Sequence, residues 1–292
     1  MRPYLTPDPV RPGTYPELLH EIGNLTVGTA AGTNDFEVEQ WAFRGLLNVG
    51  WPSKSSLWRA GGSKLRNETQ LRSAELRIVS AAWHWLATEG LPGGLSTANI
   101  LAHLQHHGAA TRLLDFTSDP FTALYFACEE GDGGPVDGQV VAVDVGKLTT
   151  FRTDEHPAQY EKKERNSRSA LDDDWLTMLE HSEALRRPFI VQPAVRDARM
   201  RAQSGFFLAS AVPPDPPEKG FPLVGMYPPR PEENSEASPE PTSQRFDDWE
   251  YRVAQIIVPA EIKSQVRAIL RSTFSKSPRD LFPDISGFVR FN

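Results

Sequence analysis

With 292 residues, 39% hydrophobic and 24% charged, the chain carries enough apolar side chains to bury a sizeable core, which excludes global disorder. A net charge of −7 excludes bulk electrostatic attachment to DNA or to an anionic membrane, because counterion release requires a basic face. A small anion held by a few arginines stays open, and Arg44, Arg59, Lys64, Arg66, Arg72, Arg77 and Arg112 give the first half such groups.

The single cysteine, Cys128, rules out an intrachain disulfide, and its apolar surroundings read as core. The first residues lack a hydrophobic signal region. The longest uncharged apolar run, Phe121 to Cys128, falls far short of the roughly 20 residues that span a bilayer. A cytoplasmic protein without a membrane partner is expected.

Residues 1 to about 20 hold five prolines and few periodic apolar positions, which predicts an extended surface arm before a core that begins near residue 34. Alternation through Trp41-Ala42-Phe43-Arg44-Gly45 predicts a short strand, with Gly45 ending or bulging it. Leu71, Ile78, Val79, Ala82, Trp83 and Leu86 recur at helical spacing, with Asn67 as cap and Gly90 beyond the end, so a helix is predicted over 67–88. Ser96 or Thr97 opens a second helix, 97–107, stopped by Gly108. Asp119-Pro120 is an N-cap followed by proline at the first helical position, and opens a buried helix over 119–130.

Further strands are expected at Gln139 to Val145, Phe189 to Gln192, Gly205 to Ser210 and Glu250 to Val258, with a final helix from about Ala260 to Arg271. Ten prolines between Pro213 and Pro241 predict a mobile insert over about 213–245. Because strands resume beyond it, one domain over 1–292 is expected. Its fold class is α+β: a split, mainly antiparallel sheet flanked by helices.

The segment from Gln105 to Pro120 places His, Thr, Arg, Asp and Ser in a short irregular stretch between two helices, where ligand-binding groups tend to sit. Capping and turn chemistry is the plainer alternative: Thr117, Ser118 and Asp119 cap the next helix, and Arg112 pairs with Asp115. His103 and His107 share a helical face at zinc-ligand spacing, but the general-base glutamate and a third ligand are missing, so no metal is expected. Neither a phosphate-binding glycine loop nor a Gly-x-Ser-x-Gly elbow occurs.

Phe43-Arg44-Gly45 and the block Gln105-His106-His107-Gly108-Ala109-Ala110-Thr111-Arg112-Leu113-Leu114-Asp115-Phe116-Thr117 resemble the FRG domain family. Ala123 to Ala127, Arg201 to Phe207 and Leu281 to Asp284 extend the resemblance, which departs from the family pattern at His107, Ala109-Ala110 and Phe116. A weaker resemblance joins the aromatic-Arg-Gly strand, and Asp115 to Ser118 with the helix after it, to arginine-type ADP-ribosyltransferases. It implies a transferase-like fold with NAD as cofactor. The segment that supplies their catalytic glutamate corresponds to Gln203, an amide.

Cleaving the nicotinamide bond of NAD passes through a cationic sugar, which needs an arginine for the pyrophosphate, backbone groups for the amide and a carboxylate or dipole near the ribose. The resemblance implies Arg44, Asp115 and Gln203 as catalytic residues. Phe43, Arg44, Gly45, His106, His107, Thr111, Arg112 and Thr117 are implied as the cofactor-binding set. Arg44 instead has a structural alternative, pairing with Glu68 or Glu75 on the long helix.

Two functions follow from the resemblance. One is an ADP-ribosyltransferase-like enzyme that uses NAD on a protein or nucleic-acid acceptor, in a bacterial toxin or phage-defence setting. The other is a non-catalytic module that binds a nucleotide-like small molecule or another protein. Hydrolysis with His106 or His107 as base and Asp115 as its orienter ranks last for want of a nucleophile.

Overall fold

The computed structural model describes residues 9–29, 36–38, 40–88, 96–130, 134–152, 171–193, 198–214, 223–226, 251–284, 287 and 289. In chain order it opens with α1 (Tyr15–Thr26), β1 (Val27–Thr29), β2 (Phe36–Val38), β3 (Trp41–Leu46) and β4 (Ser53–Lys54). A helical stretch follows: α2 (Ser56–Gly61), a 3-10 turn at Gly62–Lys64, α3 (Glu68–Thr88) and α4 (Thr97–His106). Then come β5 (Leu114–Thr117), α5 (Pro120–Ala127), β6 (Gly138–Asp144) and β7 (Thr150–Arg152). The second half adds α6 (Asp173–Leu185), β8 (Phe189–Gln192), α7 (Ala198–Ala202), β9 (Gly205–Ala209) and β10 (Leu223–Val224). It closes with β11 (Val253–Val258), α8 (Ala260–Thr273) and α9 (Pro278–Leu281).

Seven strands form one sheet in the order β11-β6-β3-β5-β9-β8-β7, antiparallel except for β7 beside β8. β3 pairs with β6 along its whole length, from Trp41↔Asp144 to Leu46↔Gln139, but meets β5 at one position, Phe43↔Thr117. β5 in turn pairs with β9 at each of its four residues. The sheet is thus continuous and mainly antiparallel, and the short β3–β5 pairing is a narrow seam within it.

Period-two alternation sorts the side chains. On one face, Phe43, Val140, Ala142 and Ile256 pack under α1, α5 and α8. Phe189, Val191 and Phe207, also in alternate positions, pack under α3, α4 and α6 around Trp175 and Leu101. Ala42, Leu114, Val141, Val143 and Leu208 share a third cluster.

Glycine permits the close seating of α5. A Cβ on Gly45 would lie 1.8 Å from the Ala123 carbonyl oxygen, and one on Gly138 would lie 2.0 Å from that of Ala127. Gly45 thus neither ends nor bulges β3, which runs on to Leu46; it lets a helix backbone lie against the strand. The start of α5 is as expected, with the Asp119 carboxylate accepting from Phe121 N at 2.9 Å and from the Thr122 hydroxyl at 2.8 Å. The helix ends at Ala127, short of the expected Glu130, with Cys128 as its C-cap donating its N–H back to the Leu124 carbonyl.

Two other expectations change. Of the arm expected over residues 1–20, residues 1–8 lie outside the described residues and α1 replaces it from Tyr15; Pro16 sits in the first turn, where a missing N–H costs nothing. Leu18, Ile22 and Leu25 then bury at helical spacing. Most of the insert expected at 213–245 lies outside the described residues. Leu223–Val224 within it pairs with Ser53–Lys54, and Leu223 and Met226 are buried, so this part is fixed to the fold. Among the described residues no helix is long and apolar enough to cross a membrane.

Candidate functional site

A cavity of about 270 Å³ lies at the seam. β3 contributes Phe43, Arg44 and Gly45, and β5 contributes Asp115, Phe116 and Thr117. The end of α4 adds Gln105 and His106, while α5 adds Thr122, Ala123 and Phe126. Arg199 and Met200 of α7, with Gln203, Gly205, Phe206 and Phe207, form the remaining wall.

Arg44 joins the two strands at the seam. Its Nη1 donates to the Asp115 carbonyl at 2.7 Å and lies 3.7 Å from the Asp115 carboxylate. Its Nε is buried and has no hydrogen-bond partner among the described residues. Burial lowers the guanidinium's pKa below its ordinary value; Asp115 opposes that shift and the charge of Arg59 adds to it. Arg44 is thus a cation with an unused donor and incomplete compensation.

Asp115 is 64% exposed at its side chain, and its orientation is set by Gln105, whose Nε2 donates to the carboxylate at 2.9 Å. The Gln105 amide is fixed in turn, since its Oε1 accepts from the Thr111 hydroxyl at 2.6 Å and that hydroxyl accepts from Leu113 N at 3.1 Å. Thr117 donates from its hydroxyl to the Gln203 carbonyl at 2.6 Å, and Ser118 N donates to the Ser204 carbonyl at 3.2 Å, which holds the end of β5 against the turn before β9. The Gln203 side chain donates from Nε2 to the Leu281 carbonyl at 2.9 Å.

Of the residues singled out in the sequence, Phe43, Arg44, Gly45, His106, Asp115, Thr117 and Gln203 meet at this cavity. His107 is exposed and does not line it, while Thr111 is buried behind Gln105. Arg112 points away into the core, so one pocket shared by both arginines is not formed. Its Nε and Nη2 donate to the two oxygens of Glu75 at 2.6 and 2.7 Å, and its Nη1 donates to Glu68 at 3.1 Å and to the Ser210 carbonyl at 3.0 Å. Burial acts against the Arg112 charge, but Glu75 and Glu68 outweigh it and hold its pKa above the ordinary value.

The two arginines exchange the roles their sequence context suggested: Arg112, not Arg44, takes the glutamates of α3. Glu68 and Glu75 fall in that helix beside the buried Leu71 and Val79. Carboxylates within an apolar stripe announce a buried cation, but the spacing does not say which one. Gln105, Arg199 and Phe126 are cavity residues that sequence reasoning passed over. Gln105 stood at the head of the informative block; Arg199 reaches the cavity only through the turn that joins α7 to β9. Among the described residues no cluster of His, Cys, Asp or Glu is placed to hold a metal ion.

Neither a curated protein nor a solved structure matches the chain, so the likeness to arginine-type ADP-ribosyltransferases rests on the quoted residues alone. The family model of the FRG domain matches residues 39–133, the stretch that runs from β3 through α5 and carries the Arg44, Gln105 and Asp115 walls of the cavity. That stretch is an FRG domain.

Proposed function

We propose that the seam cavity binds NAD, or a nucleotide built from the same ribose and phosphate units, and that the protein transfers ADP-ribose to a macromolecular acceptor. The observation that carries this reading is Arg44, an incompletely compensated guanidinium with an unused Nε donor, which lines a cavity together with the carboxylate of Asp115. A phosphate beside the guanidinium would supply the missing charge. At about 270 Å³ the cavity falls just below the roughly 300 Å³ lower end of small-molecule sites, so it would enclose one part of NAD and leave the rest outside.

In the transfer, the bond from the ribose anomeric carbon to nicotinamide breaks and its electron pair leaves with the nicotinamide. An acceptor nucleophile bonds to that carbon and gives up its proton. Asp115, oriented by Gln105, would face the positive charge that develops on the sugar, and the Gln203 amide would address a ribose hydroxyl. Backbone groups at Gly45 would take the carboxamide of the base.

One observation favours a second reading, a non-catalytic nucleotide-binding or protein-interaction module. Gln203 stands where the resemblance places a catalytic glutamate, and its amide is engaged with the Leu281 carbonyl. Calorimetric titration of NAD into the wild type and Arg44→Ala, followed by an assay for released nicotinamide, separates the two. Saturable binding lost in a folded Arg44→Ala variant, with nicotinamide release, supports the transferase. Binding without release supports the module, and no binding at millimolar NAD sinks both NAD readings.

A further inference from the structure

We infer that Arg199 is a second anion-binding residue of the cavity, preset by Phe282, so that the site takes a ligand carrying a diphosphate rather than a single negative group. This rests on the reading of the cavity as a nucleotide site and specifies how the ligand's phosphates are held.

Three observations converge on Arg199. It lines the same cavity as Arg44, from the short helix that leads into Gln203. Its guanidinium carbon lies 4.6 Å from the centre of the Phe282 ring. No carboxylate pairs with it among the described residues, whereas Arg44 has Asp115 at 3.7 Å.

The charges of the cavity wall follow. Asp115 offsets one arginine, and Arg199 supplies the net positive charge that an anionic ligand must meet. A guanidinium held over a ring keeps the N–H donors on its free side available, and a guanidinium can take a phosphate through two of them. It also removes part of the rotamer freedom that binding would otherwise have to restrict.

Phe282 is itself buried and packs edge-to-face on Phe126 of α5, with ring centres 5.9 Å apart. Beside it, the Leu281 carbonyl accepts from Gln203. The segment after α8 is therefore the support for two cavity residues, and it reaches the site from the far end of the sequence.

Calorimetry with inorganic pyrophosphate, NAD and the phosphate-free nicotinamide riboside tests this on the wild type, Arg199→Ala, Arg199→Lys and Phe282→Leu, with melting temperatures as a folding control. The expected results are a loss of about tenfold or more in pyrophosphate and NAD affinity in Arg199→Ala, partial recovery in Arg199→Lys, and a smaller loss in Phe282→Leu. Nicotinamide riboside binding should not change with Arg199→Ala.

Undiminished pyrophosphate affinity in a folded Arg199→Ala variant overturns the inference, and so does an equal loss for the riboside. Pyrophosphate binding without NAD binding in the wild type would leave Arg199 assigned and remove the NAD reading. Failure of the wild type to bind either probe removes both.

Discussion

The seam cavity and the core beneath α3 each hold an arginine, one within β3 and one just before β5, and they treat its charge in opposite ways. Arg112 is surrounded: Glu75 takes it bidentately, Glu68 and the Ser210 carbonyl take its remaining donor, and the Trp175 indole N–H and Val212 N complete the carboxylates at 3.3 and 2.8 Å. Arg44 meets one backbone carbonyl and a carboxylate that is mostly exposed, and keeps a donor unused. A fully matched buried charge fixes a fold, because removing any member strands the others. A partly matched one at a cavity is a demand that a ligand can fill.

The sharpest way to break that comparison is to remove one partner from each region. Glu75→Ala should cost about 3–5 kcal/mol in urea unfolding, since it leaves Arg112 buried with half its compensation. Arg44→Ala should cost about 1 kcal/mol, the ordinary worth of one hydrogen bond, while abolishing ligand binding. Equal losses of stability in the two variants would mean that Arg44 is as structural as Arg112 and would dissolve the distinction.

A second test probes the seating of the helix behind the cavity. Gly45→Ala places a methyl against the Ala123 carbonyl, a backbone atom that cannot swing aside. The change should cost about 1–3 kcal/mol in the same unfolding experiment, in the range of overpacked cores. An unchanged midpoint would show that β3 and α5 have room to part, and that Gly45 is required for the ligand alone.

The smallest effect is expected from pH. Burial would raise the Asp119 carboxyl's pKa, but Lys276, the Thr122 hydroxyl and Phe121 N outweigh it and hold the pKa below its ordinary value. A depressed carboxylate contributes stability that is complete above its unfolded pKa of about 3.9 and is lost as pH falls through the folded value. Between those limits the wild type should lose stability faster than Asp119→Asn, as followed by the melting temperature. Parallel slopes for the two proteins would remove Asp119 from the acid response.

Local chemistry was the legible part of this chain. Asp119-Pro120 announced α5, Asn67 capped α3 with its side chain accepting from Gln70 N at 3.0 Å, and β8 was placed to its residue limits. The sequence also brought Arg44, Asp115 and Gln203 to one cleft. What it withheld depended on long-range packing. Prolines masked α1, because a proline in a first helical turn and one in an extended arm read alike. α6 was missed although Asp172 caps it, accepting from Trp175 N at 2.8 Å. Arg199 became visible only once the turn after α7 was placed against β5.

The strand order has a consequence for how this protein can be divided. The matched stretch, residues 39–133, contains β3 and β5 but neither β6 nor β9, the strands that pair with them along their lengths. Cut out alone, it would hold two strands touching at one residue pair, each with an open edge of unpaired backbone donors and acceptors. Such edges recruit other chains, so the excised piece should self-associate rather than fold by itself. The part of the chain that a family model recognises and the part that can stand as a folded body are different lengths of polypeptide.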